Sequence, residues 1–159
     1  MIRKPYLLSA LVLVLVTGML ACGKNKFETK PTLELKSQST LVPYEAQARF
    51  GITMKFTDKE GDLSGIRDSS IFYQPIWLNT RAPIAPYVEI YGSLPEFPDN
   101  SSGEIELNLL QSDFYRDFNQ PQLPPLDKND TIQFRIVVKD KAGNTSDTLV
   151  TRPIVLLGQ

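Results

Sequence analysis

Two seven-residue stretches carry the residue types that could do chemistry. Asp58-Lys59-Glu60-Gly61-Asp62-Leu63-Ser64 and Asp140-Lys141-Ala142-Gly143-Asn144-Thr145-Ser146 share the spacing Asp-Lys-x-Gly-[Asp/Asn]-x-Ser. Each offers an aspartate to cap backbone donors and a glycine to take positive φ, the ordinary needs of a tight turn. Brought side by side, the two copies would gather Asp58, Glu60, Asp62, Asp140 and Asn144, with Asp68 in reach. Those are hard oxygen ligands of the kind calcium takes, roughly six to eight at a time. EF-hand spacing is absent, because no glutamate follows at the required offset. Calcium is therefore the ion considered for these residues, and only if the fold puts both turns at one end; otherwise no cofactor is expected.

Other chemistry is excluded by what the chain lacks. It has no histidine, which removes Ser-His-Asp and Cys-His nucleophiles and histidine-bound zinc. There is no glycine-rich phosphate cradle. Two carboxylates facing each other at about 5–9.5 Å across a cleft, as in glycoside hydrolysis, are the remaining catalytic route. The acids cluster in turns instead, so the expectation is a protein that is not an enzyme, with a carboxylate hydrolase as the weakest alternative.

The single cysteine has a different use. Residues 1–21 have a short basic start at Arg3 and Lys4, an apolar core from Leu7 to Val16, and Met19-Leu20-Ala21 leading to Cys22. That is the layout of a secretory signal, and the apolar stretch is shorter than the roughly 20 residues a membrane span needs. Ala21 directly before Cys22 resembles the lipobox of bacterial lipoproteins, which implies lipid on Cys22, and a cysteine so spent leaves no thiol for disulfides, metal or catalysis. With Arg3 and Lys4 removed, 15 basic groups face 18 acidic ones. This mildly acidic balance offers no patch for nucleic acid. Residues 22–30 read as the lipidated cysteine and a short tether, whose Lys24, Lys26 and Lys30 would face lipid headgroups. Residues 31–159 read as one domain.

The elements that must position the two turns are strands. Ala48, Phe50, Ile52, Met54 and Phe56 alternate with polar residues up to Asp58. Ile132, Phe134, Ile136 and Val138 do the same up to Asp140. Period-2 alternation of this length marks strands with one buried face. The second run, with its turn and the stretch from Leu149 to Leu157, predicts a β-hairpin, irregular at Pro153, which lacks a backbone donor. Further strands are predicted at Thr32–Ser37, Ser69–Leu78, Tyr87–Tyr91 and Glu104–Leu110. Ser69–Leu78 is apolar on both faces, as a strand covered on both sides would be. In 111–130, Ser112 is placed to cap one helical turn over Asp113–Phe118, followed by a proline-rich extended path.

Phe56-Thr57-Asp58-Lys59-Glu60-Gly61-Asp62-Leu63 and Ile136-Val137-Val138-Lys139-Asp140-Lys141-Ala142-Gly143-Asn144-Thr145-Ser146, with Ala21-Cys22, resemble the paired signatures of small bacterial lipoproteins carrying an immunoglobulin-like or cadherin-like β-sandwich. The late motif is also similar to the Asp-x-x-Gly-Asn turns of bacterial Ig-like adhesin repeats. The resemblance covers about a third of the chain and leaves residues 65–129 unmatched. It implies an all-β, immunoglobulin-like antiparallel sandwich of seven to nine strands, with Trp77 in the place of the core tryptophan of such a fold. The expected protein is a lipid-anchored binding or assembly module of the bacterial envelope, an outer-membrane lipoprotein facing the periplasm or the cell surface. It would be held by lipid on Cys22 and joined to an envelope protein partner. The alternative is a surface glycan binder, for which an exposed aromatic row including Trp77 and Tyr91 would serve.

Overall fold

The computed structural model describes residues 30–63, 69–125 and 128–159. The signal segment, Cys22 and the tether before Lys30 lie outside the described residues, as do Ser64 and Asp68. Among the described residues ten strands form two sheets, β1 (Thr32–Gln38), β2 (Leu41–Val42), β3 (Arg49–Thr57), β4 (Ile71–Trp77), β5 (Ala82–Pro83), β6 (Ile90–Gly92), β7 (Ser102–Leu110), β8 (Asp130–Val138), β9 (Leu149–Val150) and β10 (Ile154–Leu156). The count exceeds the expected seven to nine because three of the strands are only two residues long.

One sheet has the order β1-β3-β7, and the other runs β2-β10-β8-β4-β5, with β6 also on β4 and β9 also on β8. Every pairing is antiparallel except β2 with β10, which is parallel. The purely antiparallel expectation fails there because the chain leaves the first sheet after β1 and joins the edge of the second. Val155 N–H donates to Thr40 O at 2.9 Å at that crossing.

The alternating runs bury their predicted faces. Phe50, Ile52, Met54 and Phe56 of β3 are all buried, and so are Ile132, Phe134, Ile136 and Val138 of β8. At about 1.5–3 kcal/mol for each large apolar side chain taken out of water, these two strands dominate the sandwich's stability. Phe50 of the first sheet, Phe134 of the second and Phe114 meet ring to ring, with centroids 5.3–6.2 Å apart. Trp77 is buried as expected and donates its indole N–H to Phe114 O at 3.0 Å.

The closing hairpin forms, broken in its second strand. Val150 pairs with Arg135 and Ile154 with Ile132, one residue out of step, so an extra residue is absorbed between them. Thr151 carries the gap: its N–H donates to Phe134 O and its Oγ1 accepts the Phe134 N–H, both at 2.9 Å. The Pro153 ring, which has no N–H, sits just past that bridge.

Residues 111–119 make two short helical turns, α1 (Gln111–Phe114) and α2 (Arg116–Asn119), in place of the single turn expected over Asp113–Phe118. Extended backbone at Tyr115 separates them, and Leu110, not Ser112, is the N-terminal flank, with no side-chain cap. The break coincides with polar partners supplied from elsewhere in the chain: Asp130 Oδ2 accepts the Arg116 N–H at 2.7 Å, the Tyr115 hydroxyl donates to Lys128 O at 2.9 Å, and Gln111 Nε2 donates to Leu157 O at 3.3 Å. The strand expected over Tyr87–Tyr91 shrinks to Ile90–Gly92.

Candidate metal centre

Both repeat turns follow the strand that buries the core most completely. β3 ends at Thr57 and β8 at Val138, so each places its aspartate just beyond a paired end. The local geometry is then the same twice. Gly61 N–H donates to Asp58 O and Gly143 N–H to Asp140 O, both at 3.2 Å, with φ of +70° and +90° at the glycines. The aspartate carboxylate caps the amide four residues on: Asp58 Oδ2 accepts Asp62 N–H at 3.0 Å, and Asp140 Oδ1 accepts Asn144 N–H at 2.7 Å. A side chain other than glycine would be strained at either positive φ.

The fold brings the two turns together. Asp58, Asp62 and Asp140 each offer a carboxylate oxygen, and the three lie within 4.8 Å of one another. Asp58 is 1% exposed and Asp140 2%. Asn144 joins through its side-chain amide, which donates to Asp140 Oδ2 at 2.8 Å. Glu60 is different: its N–H donates to Asp58 Oδ1, but the residue is exposed and its carboxylate is not in the trio. The loop before β7 closes a third side, since Asp58 N–H donates to Ser101 O at 2.8 Å.

The difference between the copies is electrostatic. At the fourth position after the capping aspartate the late turn has Asn144, whose amide gives Asp140 a proton to share. The early turn has Asp62, which has none to give when ionised. Asp62 Oδ1 is shut off from solvent with no hydrogen-bond partner. Burial pushes the Asp62 carboxyl above its usual range, and the Asp140 and Asp58 carboxylates push it the same way. Among the described residues, no Lys or Arg forms an ion pair with any of the three. Bringing like charges together inside a protein is costly unless a proton or a cation lies between them. Three carboxylates supply oxygens of the right hardness for calcium. Of the five residues named from the sequence, the fold brings Asp58, Asp62, Asp140 and Asn144 into one neighbourhood and leaves the Glu60 carboxylate outside the trio.

Lys30, the tether lysine among the described residues, forms an exposed ion pair with Asp147.

Residues 98–155 match the model of a family described as bacterial Ig-like domain. That match and the two-sheet sandwich make the fold all-β and immunoglobulin-like. No curated protein matches the chain. Among solved structures, β-glucosidase from Listeria innocua aligns at 12% identity and a TM-score of 0.48, over 85% of this chain and 17% of that one. Spo0M, a sporulation control protein from Bacillus subtilis, aligns at 10% identity and 0.39, over 82% and 49%. AggA, the major subunit of aggregative adherence fimbriae type I from Escherichia coli, aligns at 10% and 0.27, over 82% and 98%. The chain thus spans about a sixth of the length of the β-glucosidase.

Proposed function

We propose that the protein is a non-catalytic binding or assembly module of the bacterial envelope, lipid-anchored through Cys22, whose loop end is clamped by a calcium ion between Asp58, Asp62 and Asp140. The observation that carries the clamp is the convergence of three carboxylates from two separate loops, two of them buried, with no basic partner among the described residues. The ion would tie the end of β3 to the end of β8, one strand from each sheet, and so hold the two layers in register at that end.

The same geometry argues against hydrolysis. Glycosidase carboxylates face each other across an open cleft that admits the sugar. Here Asp58 and Asp140 are buried and already accept backbone N–H groups of their own turns. The anchor rests on the lipobox-like approach to Cys22; fatty-acid labelling lost in Cys22→Ser supports it, and labelling retained overturns it.

Thermal unfolding of the full chain in detergent micelles, with calcium and then with excess chelator, tests the clamp. Calcium should raise the midpoint, and magnesium should do so less, because a site of three carboxylates on two loops lacks the rigid octahedron magnesium demands. An unchanged midpoint overturns the clamp and leaves the anchored module alone.

A further inference from the structure

The outer face of the second sheet is not the polar surface that a solvent-facing sheet usually shows. Cross-strand partners lie on one face, so the pairings set out its rows. Tyr91, Phe72 and Val137 form one row across β6, β4 and β8. Gln74, Arg135 and Val150 form the next, across β4, β8 and β9. Pro83, Ile76 and Gln133 form the third, across β5, β4 and β8. An apolar row and a mixed one, apolar at Pro83 and Ile76 and polar at Gln133, therefore flank a centre that is polar at Gln74 and Arg135. Tyr91 is 55% and Val150 48% exposed, and Tyr91 stands edge-on to Phe72 at 5.1 Å. The expectation that β4 is covered on both faces is corrected here: Phe72, Ile76 and Leu78 line open clefts.

Two adjoining hollows open on this face and share Gln74 and Arg135. The larger, about 360 Å³, also takes in Ile76, Leu78, Gln133 and Arg81. Arg81 is exposed and sits at φ +55° in the turn between β4 and β5, a backbone state uncommon outside glycine. No carboxylate lines this hollow, and neither arginine forms an ion pair among the described residues. The smaller hollow, about 180 Å³, includes Glu89, whose carboxylate is engaged by the Tyr91 hydroxyl. The charge is therefore graded along the face: Arg81 at one end, Arg135 at the centre between the two hollows, and Glu89, held by the Tyr91 hydroxyl, at the other end.

We propose that this face binds a carboxylate-bearing glycan, with Arg135 and Arg81 gripping the carboxylate, Gln74 and Gln133 meeting ring hydroxyls, and Phe72, Ile76 and Leu78 under the apolar face of the sugar. Guanidinium forks match carboxylate geometry bidentately. Planar side-chain amides both donate and accept, as vicinal hydroxyls require. The combined hollows fall within the size range of small-ligand sites. A peptide added by main-chain pairing could not lie over these hollows, because β4 and β8, which floor them, are each paired on both flanks. The buried Trp77 takes no part. This binding does not depend on the calcium clamp.

The test is calorimetric titration of the full chain in detergent micelles, in chelator so that no cation bridges the sugar, with a galacturonate trisaccharide and with its methyl ester. The acid should bind and the ester at least tenfold more weakly. Arg135→Gln should weaken the acid at least tenfold. Arg81→Gly, which relaxes the positive φ while removing the guanidinium, should weaken it severalfold without lowering the unfolding midpoint. Arg49→Gln, on the other sheet, should bind as the parent does. Equal binding of acid and ester, parental affinity in Arg135→Gln, or no binding of either sugar overturns the proposal. So does full displacement by equimolar inorganic phosphate, or a protein partner cross-linked across Arg135.

Discussion

Lys141 N–H donates to Asp62 O at 3.4 Å, so the late repeat turn is hydrogen bonded directly to the early one. The two copies are about 80 residues apart in sequence and touch through backbone at the position where their charged side chains also meet. A cation between them would act on the gap between loops, not within one loop. Asp140→Asn and Asp58→Asn should each abolish the calcium-dependent rise in midpoint, although they lie in different turns. At calcium about 100-fold above its dissociation constant, the parent should gain roughly 2.7 kcal/mol, a shift on the order of 10 °C. Scanning calorimetry of both variants in calcium and in chelator checks this; a variant that keeps the full shift shows its carboxylate is not a ligand.

Acid should affect the two states of the site in opposite directions. The folded-state pKa of Asp62 is raised, first by burial and then by Asp140 and Asp58. A raised carboxyl contributes stability that is fully present below its unfolded value and lost as pH rises through the folded one. Asp130, raised chiefly by burial, carries the same sign. In chelator, lowering the pH from 7 toward the raised Asp62 value should therefore increase the midpoint. In calcium the same change should decrease it, because protonation releases the ion. Asp62→Asn should raise the chelator midpoint at pH 7 and cancel the calcium effect. Midpoints falling with acid equally in both buffers would show that Asp62 does not govern the site.

Much of this was legible in the sequence for a simple reason: a period of two is a strong signal, and β3 and β8 keep it without interruption for four inward positions each. The turns were legible because Asp at the first position and Gly at the fourth each have one physical use there. Segments whose structure is decided by distant partners were not. β2 is two residues whose place depends on β10 more than 100 residues later. The split at Tyr115 depends on where β8 and the chain end supply polar partners. β4 gave a true signal, apolar on both faces, that periodicity could not resolve, since a covered face and an open ligand face read alike in one sequence.

Thr151 is a small residue with a large structural duty. Its hydroxyl is the acceptor for the buried Phe134 N–H where the ladder slips out of step. Valine has the same shape and no acceptor. Thr151→Val should therefore leave that N–H unsatisfied and cost about 1–3 kcal/mol. The midpoint should fall by roughly 3–10 °C. Thr151→Ser, which keeps the oxygen, should lose less than half as much. Thermal unfolding of the pair decides it: equal losses would assign the cost to the missing methyl contacts and not to the hydrogen bond.

Tyr115 gives the sandwich a limit at high pH. Its ring is buried against Tyr44 and Phe118, and its hydroxyl donates to Lys128 O at 2.9 Å. Burial pushes the phenol up to about 12, and the Asp117 and Asp130 carboxylates add to the rise. For a raised acid the stabilisation is complete below the unfolded value near 10 and disappears as pH passes the folded one. Absorbance titration should show one tyrosine completing its ionisation only near pH 12, and the chain should lose stability between pH 10 and 12. Tyr115→Phe should flatten that alkaline decline while costing about 1 kcal/mol at pH 7 for the lost bond. If the decline between pH 10 and 12 is as steep in Tyr115→Phe as in the parent, its origin lies in another group.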